Sequence, residues 1–286
     1  MTRARGVLLG LACLIGTGAM ARMGGCAPQA QHESGRSGGS MSNPGFELRT
    51  LGDAAHGLRY SLYTPPPAVA AGYRRGACVA AGPGAAGAPL PLILFLHGRG
   101  ECGTDGLRQM INGVPQQIIR QPDKWRAIVI MPQKPDADRP WIDYEDELLL
   151  LIERACDEFD IDRSRIYLTG LSQGGAGTWA LAAAHPKMWA AIAPVCGFAG
   201  DFRKPNDGTE AVRIGRAVAA TPTWTFHGEA DSVVPIAQTR AIVDAMKGAG
   251  GSPRFTAYPG VNHGSWEPAY AEAEFTTWLF AQQRGR

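Results

Sequence analysis

Three residues that can share one reaction occur in a set order along this 286-residue chain: Ser172, Asp231 and His263. A serine hydroxyl is a weak nucleophile until a nearby base takes its proton, and an imidazole base works best when a carboxylate orients it. Ser172 stands in the pentad Gly170-Leu171-Ser172-Gln173-Gly174, within "YLTGLSQGGAGTW", a pattern that suits a serine on a sharp strand-to-helix turn. The chain holds 37 glycines, so the pentad alone is too easily met by chance to decide anything. Asp231 in "FHGEADSVVP" and His263 in "YPGVNHGSW" each follow a strand-like run, and that joint arrangement is far rarer.

Each position has competitors. His97, His185 and His227 are alternative bases. His97 precedes a tight turn and His227 directly follows a strand, so both read as loop braces. His185 ends the helix after Ser172, where a cation suits the helix dipole and Pro186 stops the helix. Asp201 and Asp207 lie on a polar loop and Asp244 on a helix, which leaves Asp231 as the carboxylate. The tetrahedral intermediate of acyl transfer carries an oxyanion, and backbone N–H groups are its natural partners. The expected donors are Gln173, directly after the nucleophile, and Arg99 in "FLHGRGECGTDG", with Gly100 as second choice. No Cys/His metal spacing occurs, and the chemistry asks for neither metal nor organic cofactor.

These residues must be held by a scaffold. "LRYSLYT" (Leu58–Thr64) alternates as a strand, followed by a Pro/Ala/Gly-rich excursion from Pro65 to Pro89. "LPLILFLHG" (from Leu90) and "RAIVIMP" (from Arg126) are continuous apolar runs, as in strands covered on both faces. A helix is expected over Asp146–Phe159, then strand "RIYLTG", a helix from Gly174 to His185 and strand "AAIAPVCG". Strand "TWTFHG", a helix over Ile236–Ala249, strand "RFTAYPG" and one C-terminal helix from Tyr270 to Gln283 complete the alternation. The pattern predicts an α/β fold with a mostly parallel central sheet and helices on both faces. Ser172, Asp231 and His263 would then all leave the carboxyl ends of strands, where such folds gather their chemistry.

A net charge of +2 and scattered Lys and Arg exclude a nucleic-acid groove. Arg3 and Arg5, an apolar run from Val7 to Ile15 and "GTGAMA" have the order of an export signal, too short to span a bilayer. The expected organisation is a signal over 1–25, a flexible linker over 26–45 and one catalytic domain over 46–286. Ala19-Met20-Ala21 offers an ordinary cleavage site, whereas "MGGC" offers Cys26 as a lipid anchor. The product would be periplasmic, secreted or membrane-anchored; initiation at Met41 would instead leave a cytoplasmic enzyme. Cys156 and Cys196 read as small core residues, and Cys78 with Cys102 could pair under oxidising conditions.

At "FLHGRGECGTDG", "RIYLTGLSQGGAGTWALAAAHP", "FHGEADSVVP" and "GVNHGSWEPAY" the chain resembles the α/β-hydrolase superfamily. The likeness is strongest to the small bacterial esterase branch of predicted peptidases, phospholipase/carboxylesterases and dienelactone-hydrolase-like enzymes. It implies the α/β-hydrolase fold with a minimal cap, triad roles for Ser172, Asp231 and His263, and an oxyanion hole at Gly98 to Gly100. Glu101, Gly103 and Asp105 also match a loop of this branch. The expected activity is serine carboxylic-ester hydrolysis; amide or peptide cleavage by the same triad and a non-catalytic binding role are the alternatives. Phe198 to Ala219 is the expected partial cap, short enough for an open cleft and an ester on a small molecule or polymer, lined by Trp141, Phe198 and Trp266.

Overall fold

The computed structural model describes residues 45–53, 57–66, 89–201, 203 and 208–285. The signal, the linker up to residue 44, Cys26, Met41 and Cys78 lie outside them, and with Cys78 the pairing expected for Cys102; Gly45, expected to end the linker, opens the first strand.

Strand β3 (Leu90–Leu96) is buried along its whole length. Its side chains alternate across the sheet, so both faces must be covered. Leu92, Leu94 and Leu96 join one apolar cluster with Ile128, Ile130, Leu148, Ile152 and Trp179. Ile93 and Phe95 join another with Val129, Met131, Trp224, Phe275 and Leu279. Strands β4 (Ile128–Pro132), β6 (Ala191–Val195) and β7 (Trp224–Gly228) are likewise buried throughout. With β1 (Gly45–Leu51), β2 (Leu58–Thr64), β5 (Ile161–Leu171) and β8 (Arg254–Tyr258) they form one eight-stranded sheet. Its order is β1-β2-β4-β3-β5-β6-β7-β8. Strands β3 to β8 pair in parallel, while β2 is antiparallel to both its neighbours.

Helices α2 (Glu145–Glu158), α3 (Gln173–Ala184), α4 (Thr209–Ala217) and α5 (Ala237–Gly248) bury their apolar stripes in the first cluster. Helices α1 (Val114–Arg120), α6 (Trp266–Ala271) and α7 (Phe275–Ala281) cover the opposite face. The arrangement is the α/β-hydrolase fold.

Two expectations are corrected. The single C-terminal helix is two, because Glu272 turns to extended backbone (ψ 130) and breaks the run before α7. The segment from Phe198 to Ala219 is not all cap: α4 belongs to the helical layer. Ala211 and Ile214 are buried, and a Cβ on Gly215 would stand 2.5 Å from the Ala245 Cβ on α5.

Candidate active site

Ser172 joins β5 to α3 with φ 54 and ψ −116, a conformation L-residues seldom adopt. Holding it costs about 1–3 kcal/mol, which the surroundings must sustain. The Ser172 N–H donates to Val195 O at 2.9 Å, and its carbonyl accepts from Ala176 N at 3.0 Å. The flanking glycines are a steric requirement. A Cβ on Gly174 would stand 2.0 Å from Leu96 O, and one on Gly170 would stand 2.5 Å from Gly174 O.

Asp231 follows β7, and its side chain is fully buried. Oδ1 accepts the backbone N–H groups of Val233 at 2.9 Å and Val234 at 2.8 Å, which fixes the carboxylate in its loop. Oδ2 lies 2.8 Å from His263 Nδ1. Facing a carboxylate, Nδ1 carries the ring proton. Nε2 therefore turns its lone pair to Ser172 Oγ, 2.9 Å away. The structure thus brings Ser172, His263 and Asp231 into one hydrogen-bonded line.

Asn262 ties the two loops together. Its Oδ1 accepts from His263 N at 2.8 Å, Ser232 N at 2.9 Å and Ser232 Oγ at 3.1 Å. His227 is buried behind Asp231, with Nε2 at 3.2 Å from Oδ2 and 2.9 Å from Val234 O. Burial lowers its pKa, so it is a neutral N–H donor. Cys196 also has positive φ (40) and no exposure. Burial pushes its thiol up to about 12, so it does not compete as a nucleophile.

The turn after β3 approaches the serine from the other side. A Cβ on Gly98 would lie 3.5 Å from Ser172 Cβ and 3.0 Å from Glu101 Oε2. His97 Nε2 accepts the Lys134 N–H at 2.9 Å, so Nδ1 holds the proton and donates to Gly98 O at 2.6 Å. Burial drops the His97 imidazole to about 4, which keeps that tautomer neutral. In a planar trans peptide the N–H points opposite the carbonyl, so anchoring Gly98 O also sets the direction of the Arg99 N–H. The Arg99 guanidinium reaches Asp138 at 2.6 Å, and Gly100 is exposed. The Gln173 N–H lies in the first turn of α3, where helical amides have no partner within the helix. Gln173 Nε2 donates to Ala137 O at 2.9 Å. The buried Glu101 carboxylate accepts from Asn112 Nδ2 at 2.6 Å.

The aromatic candidates divide. Trp141 lies in the core instead of lining a cleft: it is 1% exposed, and its Nε1 donates to His97 O at 3.0 Å. Trp266 is half-buried and meets His263 edge-on, ring centroids 5.4 Å apart. Phe198 is half-buried on the loop after β6. Asn262, Asn112 and the backing role of His227 carry no periodic or motif signal in the sequence; only loop pairing in three dimensions exposes them.

The family model for phospholipase/carboxylesterase matches residues 130–275, just over half of the chain. The chain belongs to the phospholipase/carboxylesterase family. This family member is 34% identical over 98 residues to a probable inactive carboxylesterase of Oryza sativa subsp. japonica. A probable carboxylesterase of the same plant is 34% identical over 103 residues. The alignments take in 34% and 36% of this chain but only 38% and 37% of those proteins, so well under half of either relative is matched. Among solved structures, a thermostable esterase superposes with a TM-score of 0.61 at 30% identity, covering 84% of this chain and 63% of its own. The fluorophosphonate-binding serine hydrolase F of Staphylococcus aureus shares the fold, with a TM-score of 0.61 at 18% identity over 83% of this chain and 99% of its own.

Proposed function

We propose that this carboxylesterase-family chain is a serine hydrolase that cleaves carboxylic esters through an acyl-enzyme. The reading rests on the hydrogen-bonded line from Ser172 Oγ through His263 to Asp231 Oδ2. Ser172 Oγ attacks the ester carbonyl while His263 Nε2 takes its proton. Asp231 Oδ2 keeps the Nδ1 proton in place and steadies the imidazolium as it forms. The N–H groups of Gln173 and Arg99 receive the developing oxyanion, the second aimed by the bond from His97 to Gly98 O. His263 then returns the proton to the leaving alcohol, and water repeats the cycle on the acyl-serine. Every proton moves among this chain, its substrate and the hydrolytic water, so the steps call for no cofactor.

Helix α4 packs in the helical layer and is not part of a cap over the serine. The minimal cap expected from the sequence would leave the cleft open, which suits esters on bulky or polymeric molecules, with Trp266 and Phe198 as rim contacts. Export, with Cys26 as a lipid anchor in one version, is proposed on the N-terminal pattern. No described helix is long and apolar enough to cross a membrane.

A fluorophosphonate probe should label the protein, and Ser172→Ala should lose both labelling and at least ~10³-fold in turnover of p-nitrophenyl acetate with an unchanged melting temperature. Retained turnover in Ser172→Ala would overturn the assignment. Matched esters and amides in the same assay separate esterase from amidase. Absent labelling with an intact fold would favour a binding role.

A further inference from the structure

Glu101, in the turn after β3, is only 7% exposed, yet no cation pairs with its carboxylate among the described residues. The nearby cations are taken: Arg99 by Asp138, Arg108 by Asp105, and Lys134 by the Asp136 and Arg139 carbonyls. Glu101 Oε1 accepts from Asn112 Nδ2 at 2.6 Å. Oε2 has no donor among the described residues and is not sealed in, so it opens on accessible space. Asn112 Oδ1 is left open in the same way. A Cβ on Gly98 would stand 3.0 Å from Glu101 Oε2 and 3.5 Å from Ser172 Cβ, so at most 6.5 Å, their sum, parts that oxygen from the serine Cβ. A carboxylate so largely buried is normally paired, because an isolated charge is costly away from water. Here the unpaired oxygen lies beside the nucleophile.

We propose that Glu101 Oε2 and Asn112 Oδ1 form a subsite for an ammonium group carried by the substrate close to its ester carbonyl. Cationic esters, such as those of α-amino acids, are then the preferred substrates. Both open atoms are acceptors, and an ammonium brings several N–H donors with the charge that the carboxylate lacks. A guanidinium fits less well, since it seeks both carboxylate oxygens and Oε1 is already engaged by Asn112. A neutral hydroxyl would leave the charge uncompensated. Calcium would need several more oxygens than these two.

The reach is sufficient. A carbonyl carbon poised for attack lies about 3 Å from Ser172 Oγ. In an α-amino ester the nitrogen stands about 2.5 Å beyond that carbon. A charge-assisted hydrogen bond of about 2.8 Å closes the remainder to Oε2. Electrostatics adds a rate effect to the binding. An uncompensated carboxylate this near opposes the negative charge that develops on the carbonyl oxygen, and an ammonium bound to it cancels that opposition. The substrate preference rests on the proposed hydrolase reading; binding of the ammonium does not.

The test uses the full chain and two ester pairs. Alanine ethyl ester against ethyl isobutyrate exchanges ammonium for methyl on the acyl side. 2-(Dimethylamino)ethyl acetate against 3,3-dimethylbutyl acetate does so on the alcohol side. With each kcat/KM divided by the ester's own hydroxide-catalysed rate, the cationic member of at least one pair should lead at least tenfold at pH 7. Glu101→Gln, which can still accept from Asn112, should bring that ratio within about twofold, and the pair that responds names the side. Ratios near one in both pairs, or a lead that Glu101→Gln retains, would overturn the subsite. Calorimetry on Ser172→Ala, which forms no acyl-enzyme, should find the cationic member of the responding pair bound at least tenfold more tightly than its neutral partner. Should neither pair be hydrolysed, the hydrolase reading fails, while equal binding of both members of each pair would overturn the subsite by itself.

Discussion

His227 Nε2 stands 3.2 Å from Asp231 Oδ2, the same oxygen that receives His263 Nδ1 at 2.8 Å. One buried carboxylate oxygen therefore serves two imidazoles, one behind it and one in front. The rear imidazole is not a spare base; it holds the carboxylate by an N–H while Oδ1 is held by the Val233 and Val234 amides.

Removing that rear donor should weaken catalysis without disturbing substrate binding. His227→Phe is expected to lower kcat about tenfold with KM nearly unchanged, the loss of one hydrogen bond to a charged group. His227→Gln, which keeps an N–H to donate, should recover most of the rate. Steady-state kinetics on a short p-nitrophenyl ester distinguish the pair, and equal loss in both variants would refute the donor role.

The glycines around Ser172 give a stability contrast. A Cβ on Gly174 would meet Leu96 O at 2.0 Å, whereas one on Gly100 would meet nothing within 4 Å. Gly174→Ala should cost about 3 kcal/mol or leave the chain unfolded, because backbone cannot step aside. Gly100→Ala should change stability by less than ~0.5 kcal/mol. Urea unfolding of the two variants measures both.

Stability should also fall on acidification before the carboxylates titrate. The folded His97 imidazole is pushed down to about 4, against 6.5 for an exposed histidine, and His227 is shifted the same way. The unfolded chain therefore binds protons that the folded chain refuses. Stability is full above about 6.5 and is lost as pH drops from there toward 4, with a contribution from His97 on the order of 3 kcal/mol. Urea midpoints between pH 7.5 and 4.5 should show the decline, and His97→Gln should flatten it. An unchanged slope in that variant would contradict the neutral buried state.

The parallel strands were legible because a strand covered on both faces needs an unbroken apolar run, as in Leu90 to Leu96. Their carboxyl ends then pointed to Ser172, Asp231 and His263, which the fold places in contact. Less legible were the short elements. Helix α1 offers only seven residues with Pro115 near its start, and β1 exposes Phe46 and Leu48, so neither carries a clear inward face. Glu272 to Glu274 break the C-terminal helix with no Gly or Pro to announce it. Trp141, placed at the cleft only by the family resemblance, follows Pro140 in a stretch with no periodicity to tell inside from outside. Its Nε1 bond to His97 O depends on two loops more than forty residues apart, as the separation of 44 records.

The two hydrogen bonds from Ser232 to Asn262 Oδ1 tie the loops after β7 and β8 into one mechanical body, and the third, from His263 N, fixes the same oxygen beside the imidazole. If that body breathes, the carboxylate travels with the imidazole, and the weak joint of the relay is the 2.9 Å gap to Ser172 on its strained but rigidly wedged turn. On the proposed hydrolase reading, the chain would idle by uncoupling Ser172, with His263 and Asp231 already assembled and waiting as a unit.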